Sequence, residues 1–233
     1  MVYRTRLMLL LVSTIVIAGL MIYTRTALTG TAESTAEHEY RVHHNVTATV
    51  FWVGEPASDD NHQIDNRSSM WDAKWMEHYG GIDDPHHRIG YLPSRFIPHE
   101  NPFYCALPYS DFVDGNMKSD AVKVVPWARG MHPGPSESVC KNRWVKITRG
   151  RRTVFAQWED AGPFRYNDID YVFGEALPKN LVNDRAGIDV SPAVRDYLGF
   201  TEWDGHVDWR FVADRNVTPG PWMRIVTSSQ VTQ

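Results

Sequence analysis

Two carboxylates stand where the chain changes direction. Asp160 ends the run Thr153-Val154-Phe155-Ala156-Gln157-Trp158-Glu159 and is followed by Ala161-Gly162-Pro163-Phe164, while Asp189 lies within Gly187-Ile188-Asp189-Val190-Ser191-Pro192. Junctions between rigid elements and turns are where a scaffold presents polar groups to a ligand. A pair of carboxyls suits general acid/base chemistry, one group giving a proton and the other accepting one or stabilising charge. Asp160 and Asp189 are therefore the candidate catalytic residues. Tyr104, Tyr109 and Asp111, in a run broken by two prolines, join Trp158 and Glu159 as candidate substrate-binding residues. The alternative is structural: each Asp satisfies backbone N–H groups at its turn, and the aromatics fill a core.

The elements that must position these groups are mostly strands. Residues 46–53 alternate Thr with β-formers and read as the first strand. Residues 121–125 read as a short strand, 143–148 and 153–159 as a hairpin turning at Arg149-Gly150-Arg151-Arg152, and 206–211 and 222–226 as the last two strands. Regular alternation in the return strand places Asp160 on the face of Val154, Ala156 and Trp158. Ser191 as N-cap, Pro192 at the first helical position and Gly199 as the stop predict a short helix over 192–198. Its dipole favours an ionised Asp189. Residues 54–102 form a long insertion rich in Asp, Asn, His, Pro and Gly. One helix is expected in it, capped by Ser69, ended by Gly80 and packed through Trp71 and Trp75. About six strands without βαβ alternation predict a mainly β fold, a small closed barrel.

Composition narrows the partners. The chain has 233 residues and a net charge of -4; Arg4, Arg6 and Arg25 carry all the charge of the first 32 residues, so the remainder stands at -7. That balance argues against nucleic acid, whose binders present basic stripes, and leaves neutral or cationic glycans open. Residues 7–23 are 17 uncharged positions behind Arg4 and Arg6, which predicts a membrane anchor in preference to a cleaved signal, with the domain outside the cytoplasm. Segment 1–24 is thus the anchor or signal, 25–44 a tether, 45–226 the domain and 227–233 a tail. In an oxidising compartment Cys105 and Cys140, the chain's two cysteines, are expected to form a disulfide. His62, His78, His86, His87 and His99 of the insertion match no metal-ligand spacing. No metal and no cofactor are expected.

Three short motifs in order carry a resemblance to the double-psi β-barrels of the rare lipoprotein A-like and expansin-like group. They are Leu107-Pro108-Tyr109, Asp160-Ala161-Gly162-Pro163-Phe164, and Gly187-Ile188-Asp189-Val190-Ser191 leading to Tyr197-Leu198-Gly199. The resemblance spans residues 103–212, touches 45–53 loosely and leaves out the insertion. It implies a six-stranded double-psi barrel that binds or cleaves cell-wall polysaccharide, chiefly peptidoglycan. Asp160 matches the functional Asp of the family's Gly-Pro turn, and Asp189 matches the Asp of expansins and of a related lytic transglycosylase barrel. Tyr104 stands where the family has a His, and a phenol with an ordinary pKa of about 10 does not replace an imidazole. The resemblance therefore implies either a lytic transglycosylase or glycosidase, or an expansin-like module that holds glycan without cutting it. A structural role in the envelope, with the insertion as partner surface, is the third expectation.

Overall fold

A computed structural model describes residues 40–59 and 61–232; the apolar segment 7–23 and most of the tether lie outside the described residues. In chain order the elements are β1 (His43–Val50), α1 (Trp75–Tyr79), β2 (Arg88–Ile89), β3 (Leu92–Pro93), β4 (Tyr104–Leu107), β5 (Phe112–Val113), β6 (Asn116–Met117), α2 (Ala121–Val124), β7 (Trp144–Arg149), β8 (Arg152–Ala161), α3 (Ile169–Val172), β9 (Ile188–Val190), α4 (Pro192–Leu198) and β10 (Asp204–Phe211). Six strands close a barrel in the order β1-β10-β7-β8-β4-β9. Two pairings are parallel, β1 with β9 and β4 with β8, and the others are antiparallel. Among the described residues no helix is long and apolar enough to cross a membrane.

The expected mainly β, closed six-stranded barrel is present, but two of its strands are not the expected ones. Residues 121–125 form one helical turn, because Ala121, Val125 and Ala128 are buried at a helical spacing, with Val125 N–H bonded to the Ala121 carbonyl. Residues 221–223 form a 3-10 turn opened by Pro221, with Trp222 buried and its indole N–H on the Thr218 carbonyl. The missing places are taken by β4 and β9. All four residues of β4 are buried, so its sequence shows no alternation, and β9 is three residues long. Strands that short and covered on both sides leave no period to detect. The helix expected at 192–198 is found as α4, with Ser191 accepting the Val194 N–H and Gly199 in the left-handed region at φ 69°. In the insertion Ser69 caps a turn, accepting from Trp71 and Asp72, and α1 begins only at Trp75.

Alternate residues of the strands fill the barrel. Ala48, Cys105, Leu107, Val145, Ile147, Val154, Ala156, Trp158, Ile188, Val190 and Trp209 belong to one buried cluster, and Trp71 of the insertion joins it edge-on to Trp158. A second cluster lies outside the wall, where Trp75 and Tyr79 of α1 cover Phe51, Val53, Tyr104 and Ala106. The insertion is thus a second layer over one side of the barrel. Residues 227–232 are no free tail: Thr232 exchanges backbone bonds with Trp71 and Ala73, and Ser229 bonds Glu100 and Lys141.

The expected disulfide is absent. Cys105 and Cys140 are free, buried thiols. Cys105 is fixed in β4 opposite Val190 and Trp158, while Cys140 sits in a turn organised by Ser138 and Asp111. Burial pushes both thiols well above their ordinary pKa. A thiol reagent should therefore label neither cysteine of the native chain and both after denaturation without reductant; a denatured chain with no reactive thiol would restore the disulfide.

Lys141 and Glu159 form an ion pair at 2.8 Å with side chains 1% and 2% exposed. Removing one partner strands the other charge, so Lys141→Met should destabilise by about 3–5 kcal/mol in urea unfolding, whereas Lys141→Met with Glu159→Leu should recover most of that loss.

Candidate active site

A single cross-strand row builds the site. On the outer face of the wall Asp160 of β8 is opposite Ala106 of β4, Ala106 is opposite Asp189 of β9, and Asp189 is opposite Thr49 of β1. Directly paired residues share a face of a sheet, so the carboxyls flank a methyl group, with Thr49 at the end of the row. Two strand spacings set the two Asp Cα atoms about 10 Å apart.

Asp160 reaches this face because β8 bulges. Cys105 is paired with Trp158, but the next residue of β4, Ala106, is paired with Asp160. Glu159 is the extra residue. A one-residue slip exchanges faces, so Trp158 stays inside the barrel and Asp160 turns out. The shared face expected from regular alternation is thereby corrected.

The row forms part of a cavity of about 880 Å³ lined by both carboxyls and Ala106. Residues 55–70 of the insertion supply one wall, including Glu55, Asn66 and Met70; the β5–β6 turn and residues 162–166 supply others. Trp52 and Trp203 stand together at the rim, ring centroids 5.9 Å apart, and the Val50 N–H holds the Trp203 carbonyl at 3.0 Å. Phe164 and Tyr166 also line it, Phe164 in the left-handed region at φ 57°. Gly162 makes room for the carboxyl: a Cβ there would lie 3.2 Å from Asp189 Oδ2, close enough that the carboxyl would have to shift. Among the described lining residues none is Lys, Arg or His.

The two carboxyls differ in their partners. Asp160 is 9% exposed and accepts the Met70 and Ala161 N–H groups at 2.7 and 2.8 Å, both on Oδ1. Asp189 accepts only the Thr49 hydroxyl, also on Oδ1. Neither Oδ2 takes a hydrogen bond among the described residues. Burial raises Asp160 to about 7, against the two backbone donors. Burial likewise raises Asp189 to about 7, opposed by Thr49 and reinforced by the like charges of Asp160 and Glu55. The ionised Asp189 expected from the α4 dipole is thus corrected: Ser191 caps that helix, and desolvation outweighs the dipole. Glu55 is raised too, by burial, against Asn61 and Asn66.

The remaining expected ligand-binding residues do not line the cavity. Tyr104 shares the outer face with Ala106 but is covered by the insertion; its hydroxyl donates to Asp83 at 2.9 Å and accepts the Val53 N–H at 3.0 Å. Asp83 in turn is paired with Arg88. Tyr109 packs among Trp158 and Phe173. Asp111 is buried between the Trp71 indole, the Ser138 hydroxyl and the Val139 N–H, tying insertion to barrel. Trp158 lies inside the barrel with its indole on the Asp160 carbonyl, and Glu159 is paired with Lys141. These five residues hold the frame. The sequence reasoning missed Thr49, Glu55, Trp52 and Trp203; only their places at strand ends were a signal. Of the insertion histidines, His78 bonds Asp72 and His87 bonds Asp84, each at 2.7 Å.

The fold and cavity define a closed, mixed β-barrel with an acidic, aromatic-rimmed cleft on its outer wall. No family model matches the chain, and no curated protein does either. Among solved structures it is similar to the Streptomyces papain inhibitor (SPI), at 14% identity over 76% of this chain and 99% of that one, with a TM-score of 0.33. A likeness at that level carries no argument about activity.

The raised carboxyls give the sign of a pH effect. Unfolded, each Asp releases its proton near 3.8; folded, near 7. Between those values the folded chain holds protons the unfolded chain has lost, so stability falls as pH rises from about 4 to 7 and levels off above. Asp189→Asn should flatten part of that slope and raise Tm at pH 8, by about 2–4 °C per kcal/mol relieved, as read by thermal melts across pH. An unchanged slope would show that Asp189 is not desolvated.

Proposed function

We propose that the cleft is a polysaccharide-cleaving site acting on the cell wall outside the cytoplasm, and that the barrel is a double-psi barrel of the rare lipoprotein A-like kind. The observation that carries the reading is Asp189, a carboxyl raised to about 7 with an unbonded Oδ2 at the floor of a substrate-sized cavity. A carboxyl that keeps its proton near neutral pH is suited to act as a general acid. Asp160, with two backbone donors favouring its charged form, is the partner that ionises first and stabilises positive charge on the sugar ring. Because the two interact, their titration belongs to the pair.

In this scheme Asp189 gives its proton to the glycosidic oxygen as the bond to the anomeric carbon breaks. The sugar's own C6 hydroxyl attacks that carbon, closing an anhydro ring, and its proton passes to the Asp189 carboxylate. The acid is regenerated, and no water is consumed. Tyr104 takes no part, because its hydroxyl is occupied by Asp83 and Val53. That occupancy also supports the second reading, a module that holds glycan without cutting it, since no imidazole enters the cleft from β4.

Incubation of the full-length chain with purified peptidoglycan, followed by mass spectrometry of the soluble products, separates the readings. Anhydro-sugar ends are expected, reduced at least about 100-fold by Asp189→Gln or Asp189→Asn and by a smaller factor in Asp160→Asn. Reducing ends would indicate hydrolysis. Retention on insoluble wall with no product would favour the binding module, and cleavage that survives both substitutions would sink the assigned roles.

A further inference from the structure

The charge of the cleft is one-sided, and this bears on which sugar it takes. Glu55, Asp65, Asp114, Asp160 and Asp189 line it, with no Lys, Arg or His among the described lining residues. Arg67, outside the lining, pairs with Asp65 at 3.2 Å, and the other four carboxyls have no cationic partner among the described residues. Three of those four, Glu55, Asp160 and Asp189, are raised by burial. Burial next to its like keeps such a carboxyl protonated near neutral pH; a cation arriving beside Asp160 draws off that proton and completes an ion pair that the protein alone does not form.

Two further features point to a sugar as the carrier of that charge. Asp160 is 9% exposed, faces the cavity and leaves Oδ2 without a protein partner. At the rim Trp52 lies tilted against Trp203, which already carries the Arg195 guanidinium over its ring at 5.3 Å and the His86 ring edge-on; the ring surface left is suited to the C–H face of a pyranose. A ligand bearing carboxylates finds no cationic group among the described lining residues and meets carboxyls that its charge keeps protonated. We propose that the cleft selects hexosamine units with a free, protonated amine over N-acetylated units, and excludes uronic acids and glycan stretches with exposed lactyl carboxylates. This rests on the glycan reading above and assigns its substrate class: de-N-acetylated stretches of wall polymer.

Asp114 provides the charge test. It is exposed on the β5–β6 turn and lies in the left-handed region at φ 49°, a conformation that Asn also tolerates well, so Asp114→Asn removes a charge without straining the backbone. The full-length chain is titrated by calorimetry at pH 6 with hexamers of glucosamine, N-acetylglucosamine and galacturonic acid, and with pentalysine. The glucosamine hexamer is expected to bind at least about 10-fold tighter than the N-acetylated one, a difference of about 1.4 kcal/mol. The galacturonate hexamer should give no heat. The preference should shrink in 0.5 M salt, where charges are screened within about 4 Å, and should also narrow in Asp114→Asn. Equal or weaker binding of the glucosamine hexamer would overturn the charge selection while the N-acetylated hexamer's binding kept the glycan reading alive. Pentalysine binding as tightly as the glucosamine hexamer would overturn the assignment to sugars and count against the glycan reading. Binding of none of the four would overturn both.

Discussion

The site depends on one extra residue in β8. If β8 ran through Glu159 in regular alternation, with no bulge between the Trp158 and Asp160 pairings, Asp160 would fall on the inner face of the barrel among Val154, Ala156 and Trp158. An unpaired carboxyl there would be untenable in an apolar core. The bulge turns Asp160 outward into register with Ala106, Asp189 and Thr49, and the Trp158 indole bonds the Asp160 carbonyl across it. Bulges re-aim side chains at functional sites. Here the re-aiming produces a row in which two carboxyls flank one small residue.

The insertion converts that row from a surface feature into a cleft. It covers Tyr104, one step along β4, and bonds that phenol through Asp83, while the Met70 N–H reaches down to Asp160. Trp71, Trp75 and residues 227–232 fix the insertion on the barrel, the tail segment pairing with Asp72 and Ala73. The added layer deepens the burial of both carboxyls, and desolvation is the largest cause of their raised pKa values. An open groove with the same row would leave them as ordinary exposed acids. The insertion therefore bears on the chemistry as well as on the frame.

Stability and function pull against each other in this arrangement. Glu55, Asp160 and Asp189 are each held above their ordinary range by burial, which costs the folded state free energy at neutral pH. The barrel compensates elsewhere, with a dense aromatic core and fully bonded clamps such as Asp111 under Trp71, Ser138 and Val139. Strained or destabilised groups confined to a cleft, supported by a rigid frame, are the usual signature of a site.

Much of this was legible in the chain. The β7–β8 hairpin, the α4 helix with Ser191, Pro192 and Gly199, the mainly β class and the two carboxylates follow from local patterns, because turn chemistry, capping and alternation act over a few residues. The strands β4 and β9 were not legible, since four buried residues and a three-residue segment carry no period. Nor was the bulge, which is a property of the pairing between two strands and not of either sequence. Tyr104, Tyr109, Asp111, Trp158 and Glu159 have the residue types of a binding site, and only the tertiary structure assigned them to the frame, by burying each against a specific partner. The sequence alone determined that Asp160 and Asp189 exist at the ends of local elements; long-range strand pairing decided that they share one face, and the layer above them decided their protonation.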